Sequence, residues 1–410
     1  MDIDEFLSFN IPECERPYAF WLVSVPWIGQ GPVPSLLELY GSPKEIFEKS
    51  DEELLSLRGK AGRKLNVEPL LKCRKNADIF RMYDDLDRSG MKISFAWDDD
   101  YPVRLKHIPD PPTALFYLGK LPRDEKLSVA VIGSRQCSEY GEKLACELGE
   151  ALGENDINVI SGMAVGIDGI SQAAALGSGG ESYAVLGSGA DVCYPDSNYS
   201  LYEKLKNLGG VISAYPPGTS ARAQFFPPRN RIVSGLADAV VVLEARSRSG
   251  TLITVDMALE QGRDIYAAPG RLGDELSAGC NGLIGHGALV YLSPEIFIRD
   301  LFEDHADANG HAILCGSGIA GIKKNVLSPS DERHRNYSGE EMKCPLPDEQ
   351  FRDVYEELTL FPRSAEEIDA SITRKQKTSP GETGITLMLM ELCIGGFALQ
   401  VSPGQYIRRL

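Results

Sequence analysis

Seven short apolar runs, each closed by a glycine- or serine-rich turn and followed by a helical stretch, leave this chain few ways to fold. They lie at residues 129–132, 159–160, 183–186, 211–213, 239–243, 265–268 and 288–291. A strand that is apolar on both faces must be covered on both, and strands joined through helices run parallel. The pattern predicts an α/β fold: a Rossmann-like, mostly parallel sheet with helices on both faces. Ligands of such sheets bind beyond the carboxyl ends of the strands. There the chain places its Gly, Ser, Asn and Arg residues.

The flanks read differently. Residues 1–88 carry apolar residues at helical spacing, as in Leu36-Leu37-Glu38-Leu39 and Leu54-Leu55-Ser56-Leu57. Turn signals separate them at Gly29-Gln30-Gly31-Pro32, Gly41-Ser42-Pro43 and Gly59-Lys60-Ala61-Gly62. A helix, a Gly-x-Gly turn and a second helix predict a SAM/helix-hairpin-helix-like domain, whose turn amides can meet phosphates. A plain packing module fits the same pattern. Residues 89–300 form the sheet domain, and 301–345, rich in Gly, Ala, Ser and charge, read as a flexible linker. Residues 346–410 read as three helices and a hairpin, a winged-helix domain. Phe351, Val354, Tyr355 and Leu358 mark the first helix, Ser364 caps the second, and 385–394 form the third before an alternation about Pro403-Gly404.

Composition narrows the function classes. The acidic amino terminus has no basic leader region, and the longest strongly apolar run, 239–243, is far too short for a membrane span. Nine cysteines, an odd number with no C-x-x-C pair, argue against a disulfide framework or zinc site and for a reducing compartment. A net charge of −17 opposes phosphate binding unless cations gather locally. Residues 221–250 gather them: Arg222, Arg229, Arg231, Arg246 and Arg248 against Asp238 and Glu244. All five are arginine, whose planar fork matches phosphate oxygens. A solvated surface with scattered ion pairs is the alternative.

Four motifs stand at strand ends. Gly133-Ser134-Arg135 follows the first parallel strand and precedes a helix over 140–152, where a glycine turn, a helix dipole and a forked cation suit a phosphate. Gly162 and Gly166 bound the second turn, and Asp168 sits where an N-cap would; turned inward, it would repel a phosphate. The third runs from Gly187-Ser188-Gly189 to Tyr194-Pro195-Asp196-Ser197-Asn198. Densest is Phe225-Phe226-Pro227-Pro228-Arg229-Asn230-Arg231, where arginines, an amide and an aromatic face combine what binds single strands without sequence preference. A buried phenylalanine beside surface arginines is the alternative. Ser249, Gly250 and Thr251 follow the most apolar strand and would complete the cradle.

Chemistry is hard to find. The five histidines do not cluster with carboxylates or cysteines, and no metalloprotease or nucleophile-elbow motif is present. Val192 stands where a dinucleotide fingerprint needs its third glycine, and there is no P-loop, so no cofactor and no catalytic residue are expected.

Taken in order, Gly133-Ser134-Arg135, 161–168, Phe226-Pro227-Pro228-Arg229-Asn230-Arg231, Ser249-Gly250-Thr251, Pro269-Gly270 and 281–288 resemble the DNA-processing protein A (Smf) family. The likeness is strong over 89–300 and looser at Tyr101-Pro102-Val103-Arg104-Leu105 and in the carboxy-terminal unit. It implies a cytoplasmic, non-enzymatic homodimer that binds incoming single-stranded DNA in natural transformation and recombination. Such proteins protect the strand, displace single-strand-binding protein and load the recombinase RecA. By position, Arg135 would contact DNA, and Phe226 with Arg229, Asn230 and Arg231 would form part of a basic pocket, with Arg222 and Asn198 beside it. Ser171-Gln172 stand where the family usually has Ala-His, Ala223 where it has lysine and Ala214 where it has glutamate. The rival reading is a nucleotide-binding enzyme of the phosphoribohydrolase type, but Thr254 stands where its catalytic glutamate would follow Thr251. A RecA-binding adaptor that never touches DNA is a third.

Overall fold

Valines and alanines alternate sides along the central strands, and this alternation builds the three-layered core. In β3 (Ser128–Ile132) and β7 (Ala239–Val242), Val129, Val131, Ala239 and Val241 face one way while Ala130, Ile132, Val240 and Val242 face the other. Successive strand side chains must diverge in this way, so both faces bury apolar surface. The computed structural model describes residues 11–24, 32–58, 66–76, 78–305, 351–358, 363–374, 381–394, 398–402 and 405–408. It divides into two units, Met1–Val326 and Leu327–Leu410.

In the first unit the helices α1 (Arg16–Val23), α2 (Pro32–Tyr40), α3 (Pro43–Glu48), α4 (Asp51–Ser56), α5 (Glu68–Asn76) and α6 (Ile79–Arg88) precede the sheet. Ser42, Ser50 and Asp78 cap α3, α4 and α6 by accepting the amides of Glu45, Glu53 and Arg81. Trp21, fully buried, donates its indole N–H to Leu70 O at 3.2 Å. It shares one apolar cluster with sheet residues such as Ala130 and Val240. The glycines of two expected turns, Gly29 and Gly31 and then Gly59 and Gly62, lie outside the described residues.

All seven predicted strands are present. Two more, β1 (Lys92–Phe95) and β2 (Ala114–Gly119), add an antiparallel edge that the parallel-strand pattern did not suggest. The remaining strands are β4 (Asn158–Ser161), β5 (Ser182–Val185), β6 (Gly210–Ser213), β8 (Asp264–Ala267) and β9 (Leu289–Val290). The sheet order is β1-β2-β6-β5-β4-β3-β7-β8-β9, parallel from β6 to β9. The chain steps outward from β3 to β6 and then returns to place β7 on the other side of β3. The loops after β3 and β7 therefore flank the switch point, where such sheets open a crevice. Helices α8 (Glu139–Glu154), α9 (Ile167–Gly177), α10 (Tyr199–Leu208) and α14 (Pro294–Asp304) pack on one face. On the other lie α11 (Phe226–Gly235), α12 (Gly250–Glu260) and α13 (Ala278–Gly285). The short α7 (Val103–Lys106) joins them. Because α14 runs to Asp304, the expected linker begins inside a helix, and its residues 306–345 lie outside the described residues.

The second unit contains α15 (Arg352–Glu357), α16 (Ala365–Arg374) and α17 (Gly381–Ile394), with β10 (Arg363–Ser364), β11 (Ala398–Ser402) and β12 (Gln405–Arg408) in the antiparallel order β10-β12-β11. Ser364 caps α16 as expected: its hydroxyl accepts the Glu367 amide while the Glu367 carboxylate accepts the Ser364 amide. Lys375, Lys377 and the Pro403-Gly404 turn lie outside the described residues.

At the amino edge of the sheet, Arg104 on α7 forms a two-pronged pair with Asp238 at 2.9 and 3.0 Å, and Asp238 also accepts the Ser128 amide at 2.8 Å. Both side chains are close to nine-tenths buried, at 11% and 9% exposure. Removing one partner strands a buried charge, which costs about 3 kcal/mol or more. Arg104→Ala is therefore expected to lower unfolding free energy in urea by about 3 kcal/mol, and a loss below about 1 kcal/mol would mark the pair as a surface ion pair.

Candidate nucleic-acid interface

The site grows from a single buried cation. Arg229, in the second turn of α11, is 6% exposed. Its guanidinium donates to Val185 O at the end of β5, lies against Gly162 and feels the charge of nearby Asp168. Space is the reason Gly162 is glycine: a β-carbon there would lie 2.5 Å from Arg229 Nη1 and 2.8 Å from Asp168 Oδ2. Burial lowers the Arg229 pKa to about 10, Asp168 pulls it up, and Arg135 pushes it down. It stays charged at neutral pH. Burial in turn raises the Asp168 pKa, opposed by Arg229 and by the Gly162 amide, which donates to Oδ2 at 3.1 Å.

Asp168 is thus not the N-cap that its position suggested. Gly166 caps α9, with φ +83 and no room for a side chain, since a β-carbon would lie 2.3 Å from Ser134 O. Met163 also adopts a left-handed conformation, φ +54, although fully buried. Its amide donates to Gln172 Oε1 at 3.1 Å, and its carbonyl and that of Ala164 accept from Asn198 Nδ2 at 2.9 and 3.2 Å. Gln172 donates onward to Ser182. The buried amide at position 172 holds the turn without an imidazole. Asn198 is likewise a brace, not a projecting ligand.

Above Arg229 lies the ring of Phe226, half-buried, with the Arg229 Cζ 5.9 Å and the Arg135 Cζ 5.6 Å from its centre. Both distances suit cation–π attraction. Arg135 is exposed, and the two residues before it are clamped through their carbonyls. Ser134 O accepts the Ile167 amide at 3.2 Å, Gly133 O accepts Thr251 Oγ1 at 3.2 Å, and Ser249 Oγ donates to Thr251 Oγ1 at 3.0 Å. Gly250 faces open space beside them. Tyr194, exposed, tilts against Phe226 with centres 5.6 Å apart. Arg222 is exposed at the entry to α11, and Asn230 is half-buried one residue beyond Arg229.

Two expectations change. Arg231 does not join the pocket. Two residues along a helix is a turn of about 200°, so Arg229 and Arg231 point to opposite sides. Arg231 is 9% exposed and pairs with Asp110 on the loop after α7. The amino end of α8, expected to receive a phosphate, is already filled. Glu244, 2% exposed, accepts the Ser138 amide at 2.9 Å and the Ser138 hydroxyl, and sits where a Gly141 side chain would be. The signal for Glu244 was in the sequence as a lone acid closing the most apolar strand. Arg246 is exposed and paired with Glu275 at 2.6 Å, and Arg248 is exposed. No cluster of metal-ligating side chains occurs among the described residues, and no described helix is long and apolar enough to cross a membrane.

Since Asp168 holds its proton more tightly folded than unfolded, its contribution to stability falls as pH rises from 3.8 through the raised native value. Urea unfolding of wild type and Asp168→Asn checks the sign: wild-type stability minus that of the variant should decrease with rising pH over this acidic window. An increase would contradict the burial argument.

Comparison with known proteins places these features in context. The family model described as DNA recombination-mediator protein A matches residues 92–302. DNA processing protein DprA of Streptococcus pneumoniae is 42% identical over 256 residues, covering 61% of this chain and 88% of that protein. Protein Smf of Synechocystis sp. is 33% identical over 290 residues, covering 69% of this chain and 72% of that protein. The X-ray structure of DNA processing protein A from Streptococcus pneumoniae aligns with 69% of this chain and 97% of its own, with a TM-score of 0.58 and 34% identity.

Proposed function

The chain belongs to the DNA recombination-mediator protein A family, and from that premise we propose that it grips single-stranded DNA at the carboxyl edge of its sheet and passes it to a recombinase. One observation carries the reading. An exposed guanidinium on a clamped turn, Arg135, lies 5.6 Å over the half-buried ring of Phe226, so a phosphate donor and a base-stacking face share one spot. Stacking of a base on an aromatic ring is worth about 1–3 kcal/mol and tolerates any base. Arg222 and Arg248 are exposed on loops at the same edge and extend the cationic track. Gly133, Ser134, Gly162, Gly166, Ser249, Gly250 and Thr251 shape the floor; Arg229 supports the ring from below.

The finer functions follow the family resemblance: protection of incoming DNA in transformation, exchange with single-strand-binding protein, and RecA loading in the cytoplasm. A homodimer fits the open edge of the sheet, where Leu289, Val290 and Leu292 are 47%, 40% and 65% exposed. The carboxy-terminal unit, read as a winged helix, suits a protein contact better than DNA reading. Its helix α17 carries no basic residue and leaves Leu387 and Met390 exposed. Against the phosphoribohydrolase reading stands Thr254, 4% exposed in α12 where a catalytic carboxylate would be needed.

Titrating oligothymidylate into full-length protein at several salt concentrations tests the assignment. Arg135→Ala should weaken binding and flatten the slope of log K against log salt by about 0.7, the loss of one single-strand phosphate contact. Arg231→Ala should leave that slope alone and lower thermal stability, since it removes a side chain that is 11% exposed and packed, whereas its partner Asp110 is 61% exposed. Equal slopes for wild type and Arg135→Ala would remove the phosphate contact from the account.

A further inference from the structure

Phe226 does not stand alone as an aromatic surface. Tyr194 is 45% exposed, although its ring lies 5.6 Å from that of Phe226 at a tilt of 39°. A tyrosine serving only to cover the Phe226 edge would be expected to bury most of its ring. The loop carrying it is held at several points: Ser188 Oγ donates to Val192 O at 2.9 Å, and Asp191 accepts the Gly218 amide at 2.9 Å. Asn198 closes it onto the turn at Met163. The ring is therefore presented at a fixed place beside the pocket.

We propose that Tyr194 is a second stacking surface, taking the unpaired base next to the one on Phe226. This rests on the single-strand reading above and assigns a further contact within it. Local charge decides which part of the strand Tyr194 meets. Asp191 and Asp196, both exposed, flank it and disfavour a phosphate, whereas a base carries no charge to repel. Spacing decides the form of the nucleic acid. Ring centres 5.6 Å apart exceed the rise of about 3.4 Å per nucleotide along a duplex strand. Two neighbouring bases can each cover one ring only when the strand is stretched and unpaired. The ring pair thus selects single strands by geometry, independently of the arginines.

The test pairs protein variants with damaged strands. Full-length wild type, Tyr194→Ala and Phe226→Ala are titrated with oligothymidylates in which one abasic residue is walked along the sequence, at two salt concentrations. Tyr194→Ala should weaken binding about tenfold, within the range of a lost stacked base, with the salt slope unchanged; Tyr194→Phe should recover the affinity. One abasic position should cost the wild type and cost Tyr194→Ala nothing, and it should adjoin the position that ceases to matter in Phe226→Ala. The proposal is overturned if a folded Tyr194→Ala binds as tightly as wild type, or if every abasic position costs both proteins equally. A wild type that binds no oligothymidylate would overturn the single-strand reading and this assignment together, which separates that failure from a failure of Tyr194 alone.

Discussion

The buried charge of Arg229 is the constraint on which the carboxyl edge depends. A guanidinium 6% exposed is tolerable only where the protein answers its charge, and two turns do so: Val185 O after β5 accepts from it, and the turn after β4 brings the Asp168 charge near it and leaves it room at Gly162. These contacts tie α11 to the loops of two strands. They also fix the height of Phe226, which rests 5.9 Å above the cation. Arg135 then approaches the same ring, 5.6 Å from its centre, from a turn whose own backbone is pinned to α9 and α12. Arg135, itself exposed, is thus held by buried and half-buried groups of the neighbouring elements.

On the proposed reading, the same edge turns a Rossmann-like sheet from holding a nucleotide to holding a strand. The amino end of the helix after the first parallel strand is a natural anion site. Here Glu244 occupies it from inside the protein. The proposed anion site lies further out, at Arg135 and the exposed arginines of neighbouring loops. That relocation reconciles a net charge of −17 with a role on DNA. Two acids nearest the switch point, Asp168 and Glu244, are engaged with donors of the protein itself.

Much of the fold was legible because apolar strands between glycine turns have one economical arrangement, and all seven runs became strands. The antiparallel edge, β1 and β2, was not. Its strands are joined by a loop carrying α7, so no strand–helix rhythm announced them. In the site, residue types were readable and directions were not. Arg229 and Arg231 look equivalent in sequence, yet a helix turns them to opposite sides, one beneath Phe226 and the other onto Asp110. Asp168 read as a cap and proved to be the counter-charge of a buried arginine, because Gly166 took the capping position. Gln172 read only as a departure from the family's usual histidine: the left-handed Met163 amide shows what its side chain is for.

The central claim is that a single strand lies across the carboxyl edge, on the Phe226 ring. Ultraviolet crosslinking of full-length protein to oligothymidylate, with the attached peptides mapped by mass spectrometry, tests it most directly. The account predicts adducts on the segments holding Phe226 and Arg135. Adducts confined to the amino edge around Arg104 and Asp238, or to the carboxy-terminal unit, would contradict it.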